Sequence, residues 1–349
     1  MKKNLQLIKQ TALALVLLVS ATVVNAQRTA SASGAWSDPL TWGGSSVPTS
    51  TDAVTINSGV TVTVDVTANC ASITFPTGNT ANSSVNVSSG ITLNVVGAIT
   101  IPRAGRSGPT NFVNTLAIGA GTVNSGSVSF TSGGNTVRHQ ITITTGTLDV
   151  SGSISGTNNN TSGTISMSGA GTIRVGAGMF DNGDGTLTAT AGTFEYDGNS
   201  AQIIQAFTYF NLNLNGTGAK TLAASTSITG DLSIATGTTL SLGASNFTLS
   251  ANTNRNVSIS GTLEINNTGD LLETNGGTKT IALNSGGRIL LSSTNATFPV
   301  LNAYTINAGS IIQYSAGGNQ TIENGTSAPT FTYGNLVTSG TGTKTLETA

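Results

Sequence analysis

Thr208-Tyr-Phe-Asn-Leu-Asn-Leu-Asn-Gly-Thr-Gly-Ala-Lys-Thr-Leu222 returns as Thr332-Tyr-Gly-Asn-Leu-Val-Thr-Ser-Gly-Thr-Gly-Thr-Lys-Thr-Leu346. Ten of the fifteen positions are identical, at a constant offset and without a gap. A polar, glycine-rich stretch written twice reads as a building unit, because a single active site needs one copy. The match continues upstream, where Ala191 to Gln202 pairs with Ala308 to Gln320 across a small insertion, and a weaker echo runs from Gly276 to Leu283. After the first copy come Thr226 to Ile234 and Gly237 to Leu242. The second copy reaches Ala349 in mid-unit, so the sequence is expected to be the front of a longer protein.

The rest of the chain uses the same vocabulary. Val60 to Asp65, Ile91 to Val95, Gln140 to Thr144, Thr147 to Val150, Thr262 to Ile265 and Arg288 to Leu291 are short Val/Ile/Thr-rich runs bounded by Gly, Asn or Ser. Such runs read as strands between turns. Gly followed by Thr, Ser or Arg and then an apolar residue opens many of them, at Gly146, Gly163, Gly171, Gly185, Gly192, Gly261, Gly287 and Gly309. No stretch after residue 27 has helical periodicity. A turn glycine followed by a short in/out strand is what a solenoid coil needs, each coil burying on its neighbours a core that none could bury alone. The expected fold is all-β, a right-handed parallel β-helix (β-solenoid) with about a dozen coils of roughly 20–25 residues. Tandem β-sandwich repeats are the alternative. Aromatics at 5% and sparse Asn-Gly or Asp-Gly turns favour the solenoid, as do the Asn runs at Asn158–Asn160 and at Asn211, Asn213 and Asn215.

Residues 1–26 read as a secretory signal peptide. Lys2, Lys3 and Lys9 precede an uncharged apolar run from Thr11 to Val24, and Val24-Asn25-Ala26 supplies small residues before Gln27. The expected organisation is then a capping module over 27–66, a solenoid over 67–190 and a repeat-containing solenoid over 191–349. Without the leader's three lysines the chain keeps 10 Lys+Arg against 14 Asp+Glu. No basic patch exists to bind phosphate, which argues against nucleic acid as a partner. No later segment is apolar enough to span a membrane. Charged residues are only 8%, so Thr, Ser, Asn and Gly must carry the surface. Cys70 stands alone, as a buried small hydrophobe or the donor of an intermolecular bridge.

Two segments resemble known families. Gly34-Ala-Trp-Ser-Asp-Pro-Leu-Thr-Trp42, Gly43-Gly44, Val47-Pro48, Asp52-Ala-Val-Thr-Ile56 and Gly59 to Asp65 resemble the start of a G8-type domain, a β-rich extracellular module thought to bind ligands. The repeat over 191–242 and 308–346, with Tyr-x-Asn-Leu, Gly-Thr-Gly-x-Lys-Thr-Leu and Ile-Thr-Gly-Asp-Leu-Ser-Ile, resembles a unit of large adhesin-like surface proteins of Bacteroidota. That resemblance implies export by the type IX system and a secreted or outer-surface location, with anchoring through a C-terminal sorting domain that is not visible in this sequence.

Candidate sites are few. Trp36 and Trp42 are expected either to cap the solenoid's open end or to stack on a sugar. Asp181 and Asp184, in Phe180-Asp-Asn-Gly-Asp-Gly185, resemble part of a calcium loop without its closing Glu. With Glu195 and Asp197 they form the one dense acidic patch; solvated turns are the plain reading. Calcium is thus the only cofactor the sequence suggests. His139, beside Arg138, is expected at the surface, with no triad partner singled out. Lys220, Lys279 and Lys344 recur at matching positions, which points to structure. Thr61/Thr63, Thr142/Thr144 and Thr186/Thr188/Thr190 form Thr-x-Thr pairs of the kind some ice-binding proteins array, or are simply β-branched strand formers. The function expected is a non-catalytic, secreted, adhesin-like scaffold. The alternatives are a carbohydrate-binding or carbohydrate-cleaving β-helix, with extracellular polysaccharide or cell-surface glycans as partners, and ice binding.

Overall fold

The computed structural model describes residues 26–348 apart from 79, 108, 132–137, 158–162, 182–184 and 327–328. The leader read over 1–26, Asp184 and the Asn158–Asn160 run therefore lie wholly or almost wholly outside the described residues. Within them the chain is all-β, its one helical element being a single 3-10 turn, Pro39–Trp42. The strands wind into a parallel β-solenoid of about 13 turns. Only the short pair Arg106–Ser107 and Thr110–Asn111 is antiparallel among the described strands. Tandem sandwiches are excluded, since their hairpins would make antiparallel ladders throughout.

One sheet, the spine, runs from Gln27–Ala30 through Thr147–Val150 and Asn211–Leu214 to Ala303–Ile306. Successive coils differ in length. The coil that carries Phe194 round to its partner Leu212 is short, whereas the one from Leu93 to Val123 is more than half as long again. What stays constant is the alternation inside each strand. In Thr61–Val64 the two valines are buried and the two threonines face out, as the two-residue side-chain period requires. Leu93, Val123, Leu148, Ile173, Phe194, Leu212 and Leu232 then stack in one inward column, each at most 1% exposed. Each buried aliphatic contributes about 1.5–3 kcal/mol, but only neighbouring coils can cover it. The result is one apolar core from Ala30 to Ile322.

The turn glycines have a steric cause. Gly121, Gly146, Gly171 and Gly192 stack just before the spine strands that start at Thr122, Thr147, Thr172 and Thr193. A Cβ on Gly146 would meet the Gly121 carbonyl oxygen at 2.4 Å, and one on Gly192, where φ is +85°, would meet the Gly171 oxygen at 2.6 Å. No side chain fits between coils packed that closely.

Near residue 200 the cross-section changes. Up to there a seven-stranded sheet, ending at Thr186–Ala189, faces the spine. Beyond it two new sheets replace that wall, one starting at Gln202–Ile204 and the other at Thr208–Tyr209. The spine crosses this point unbroken, so the segments expected over 67–190 and 191–349 share one core.

Candidate functional site

The repeated stretch forms a buried polar cassette. In the first copy the hydroxyls of Tyr196 and Tyr209 lie 2.9 Å apart, Tyr209 donates to the Gln205 carbonyl at 2.9 Å, and the Gln205 N–H donates to the Tyr196 hydroxyl at 3.3 Å. Gln202 Oε1 accepts from the Gly198 N–H at 2.9 Å, while its amide donates to the Val175 carbonyl at 2.9 Å. Lys220, fully buried, donates to the Gly198 carbonyl at 2.7 Å and to Gln202 Oε1 at 2.5 Å. Burial lowers its pKa, against the pull of Asp197.

The second copy repeats the plan. The Glu323 N–H donates to the Tyr314 hydroxyl at 3.0 Å, and the Tyr333 hydroxyl donates to the Glu323 carbonyl. Gln320 accepts from the Ala316 N–H at 3.0 Å and donates to the Leu291 carbonyl at 3.1 Å. Lys344 donates to the carbonyls of Ala316 and Gly318 at 2.9 and 2.6 Å. Lys279, at the weaker echo, donates to the Ala251 carbonyl at 2.6 Å and to that of Gly276. A buried ammonium is tolerated because its protons find carbonyls. The lysines close turns of the coil beneath, so the repetition is structural at residue level.

The copies do not occupy the same walls. Asn211–Leu214 belongs to the spine, while its counterpart Asn335–Thr338 pairs with Ile311–Tyr314 in the seven-stranded sheet that starts at Gln202–Ile204.

The described members of the acidic patch, Asp181, Glu195 and Asp197, separate. Asp181 is exposed and lies 3.5 Å from the Gln205 amide. Glu195 and Asp197 belong to the spine's outer face around Arg174. Arg174 stands 3.7 Å from Asp149 and 3.6 Å from Glu195, and Glu195 also accepts from Asn215 at 2.6 Å. Burial, then Asp149 and Glu195, push the Asp197 carboxyl above its usual range. Among the described residues no group of three or more His, Cys, Asp or Glu side chains is placed to hold a metal ion.

Trp36 and Trp42 are each 2% exposed, meet edge to face at 4.9 Å, and Trp42 Nε1 donates to the Trp36 carbonyl at 2.8 Å. Their rings belong to the core of the first coils and leave no open face for a sugar ring. His139 is a correction: it is 1% exposed, with Nδ1 2.8 Å from the Ile101 carbonyl and its ring edge-on to Phe130. It sits in register with the inward Asn114 and Gly163. That register assigns it to the core, and burial lowers its pKa. Cys70 is buried with a free thiol, pushed up to about 12 chiefly by burial, which suits a small hydrophobe.

One concave feature was not anticipated. A cleft of about 660 Å³ opens beside the last coils, lined by Phe298, Val300, Gln320 and Thr321 together with Glu323 and Glu347. Ile322 pairs with Leu346, so the residues that follow them, glutamates from two successive coils, become neighbours. Burial and the Glu347 carboxylate raise the Glu323 pKa. Only the stacking register, not local sequence, could have shown this pair.

No helix among the described residues is long and apolar enough to cross a membrane. Compared with protein-family models, curated proteins and solved structures, the chain finds no match in any of the three.

Proposed function

We propose that the protein is a secreted or cell-surface scaffold of the adhesin type, acting without catalysis through long neutral faces. The observation that supports this most is the use of the repeat. Its most recurrent polar residues are consumed inside the structure: Gln202/Gln320 and Lys220/Lys344 tie one coil to the next, and Tyr209/Tyr333 brace a turn of their own coil. What remains outward is Thr, Ser and Asn on a rod that can be lengthened coil by coil. Extracellular polysaccharide or cell-surface glycans are the partners such a surface suits.

A second reading, binding or cleavage of polysaccharide, has its own support in the cleft that sets Glu323 and Glu347 against Phe298 and Val300. One experiment separates the two. The protein, its Glu323→Gln/Glu347→Gln variant and its Asp181→Asn/Asp184→Asn variant are tested on glycan arrays and for release of reducing ends, with and without calcium. The scaffold reading expects no reducing-end release from any form, and glycan retention that survives in the glutamate variant. Release by the wild type, lost in that variant, sinks it in favour of the cleft. Retention lost on removing calcium, or in the Asp181/Asp184 variant, moves binding to the acidic turn.

A further inference from the structure

The three Thr-x-Thr pairs, scattered along the sequence from Thr61 to Thr190, converge on one wall. Their strand members Thr61, Thr63, Thr142, Thr186 and Thr188 lie on the seven-stranded sheet facing the spine, in Thr61–Val64, His139–Ile143 and Thr186–Ala189, and Thr144 and Thr190 begin the bends that follow two of these strands. The register is continuous. Thr61, Ser84, Thr115, Gln140, Thr164 and Thr186 form one outward row. A parallel row runs from Thr63 to Thr188 through Asn, Ala, Thr and Ser positions. No register shift interrupts these pairings.

Four properties of this face narrow its partner. It carries no charge in either row, unlike the spine, whose outer row holds Asp149, Arg174 and Glu195. Among the described residues, the carboxylate that follows Thr63 along its strand, Asp65, is turned to Ser37, accepting at 3.1 and 2.6 Å. Side chains of the first row are tied to one another: Ser84 donates to Thr61 at 3.1 Å, Gln140 to Thr115 at 3.2 Å, and the Thr164 and Thr186 hydroxyls lie 3.0 Å apart. Neither row contains an aromatic ring, so the usual platform for a sugar is missing. What remains is an uncharged array of mostly threonine and serine hydroxyls and methyls, interrupted by the Gln140 and Asn86 amides and by Ala117, repeating at about 4.8 Å between coils and about 7 Å along each strand. β-Branched threonines lose little rotamer freedom on contact.

We propose that this face binds an ordered water lattice, that is, the surface of ice. The match is of a repeating, neutral, hydroxyl-bearing plane with another. It goes beyond the scaffold reading and does not depend on it.

The test compares the wild-type protein with a Thr142→Lys/Thr164→Lys variant on the face and with Thr147→Lys on the spine's outer face, in the row beside Asp149 and Arg174. Folding of each is checked by circular dichroism and Tm. The expected result is thermal hysteresis and partition into slowly growing ice for the wild type and Thr147→Lys. The face variant should lose at least tenfold of the hysteresis with its Tm kept. Exclusion of the wild type from ice overturns the proposal, as does undiminished adsorption of the face variant. Retention on microcrystalline cellulose that the face variant loses, with no adsorption to ice, assigns the wall to glycan instead and equally overturns it.

Discussion

Lys220 shows at the scale of one residue how the repeat works. Its ammonium reaches the Gly198 carbonyl and Gln202 Oε1 inside the core. Lys220→Met keeps the length of the side chain and removes the donors, leaving buried acceptors unpaired. The expected cost is about 1–3 kcal/mol, read as a lower midpoint in urea unfolding. Lys279→Met should behave alike, because its donors also end on carbonyls. His139 gives the pH dependence. Its folded pKa lies below the ordinary histidine value, through burial first and Arg103 as well, with the Ile101 carbonyl opposing. As pH falls through about 6.5, where an unperturbed histidine titrates, the unfolded chain takes up the proton before the folded one. Stability should therefore drop as pH falls from about 7 toward 5. His139→Gln should flatten that slope, measured by denaturant unfolding across the same range. An unchanged slope would mean that His139 charges in place.

At the scale of the coil, close approach at the turns is the constraint. A Cβ on Gly171 would meet Ile143 Cγ2 at 2.5 Å and the Gly146 carbonyl oxygen at 2.8 Å. Gly171→Ala therefore has to spread two coils, at a cost of about 1–3 kcal/mol. Gly276, where a Cβ would meet nothing within 4 Å, is the control, and Gly276→Ala should leave the unfolding midpoint nearly unmoved. The glycine-plus-Thr punctuation was legible in the sequence because close packing leaves a residue type behind. The glutamate pair of the cleft was not, because Glu323 and Glu347 meet only through coil-on-coil pairing.

At the scale of the molecule, each coil is held by its neighbours, so stability should grade along the rod. Asn335–Thr338 is exposed at all four positions, whereas Gly163–Met167 alternates buried and half-buried between two partner strands. Amide exchange should be faster in Asn335–Thr338 by about two orders of magnitude or more, measured by hydrogen exchange with mass spectrometry. Uniform protection along the chain would mean that the solenoid opens only as a whole.

The sequence by itself determined the class of fold. Short β-branched runs, turn glycines and a unit written twice specify strands that can be buried only by stacking. It also determined that the repeated lysines serve structure, since a catalytic group has no reason to recur. Tertiary structure alone decided which residues face one another. Coils of unequal length slide the register, so sequence distance does not predict who sits above whom. That register put His139 inside, parted Asp181 from Glu195, and set the two copies of the repeat on different walls. It also gathered distant threonines onto one face. Alternation is a local property of strands and can be read from neighbours, whereas a face belongs to many coils and exists only once they are stacked.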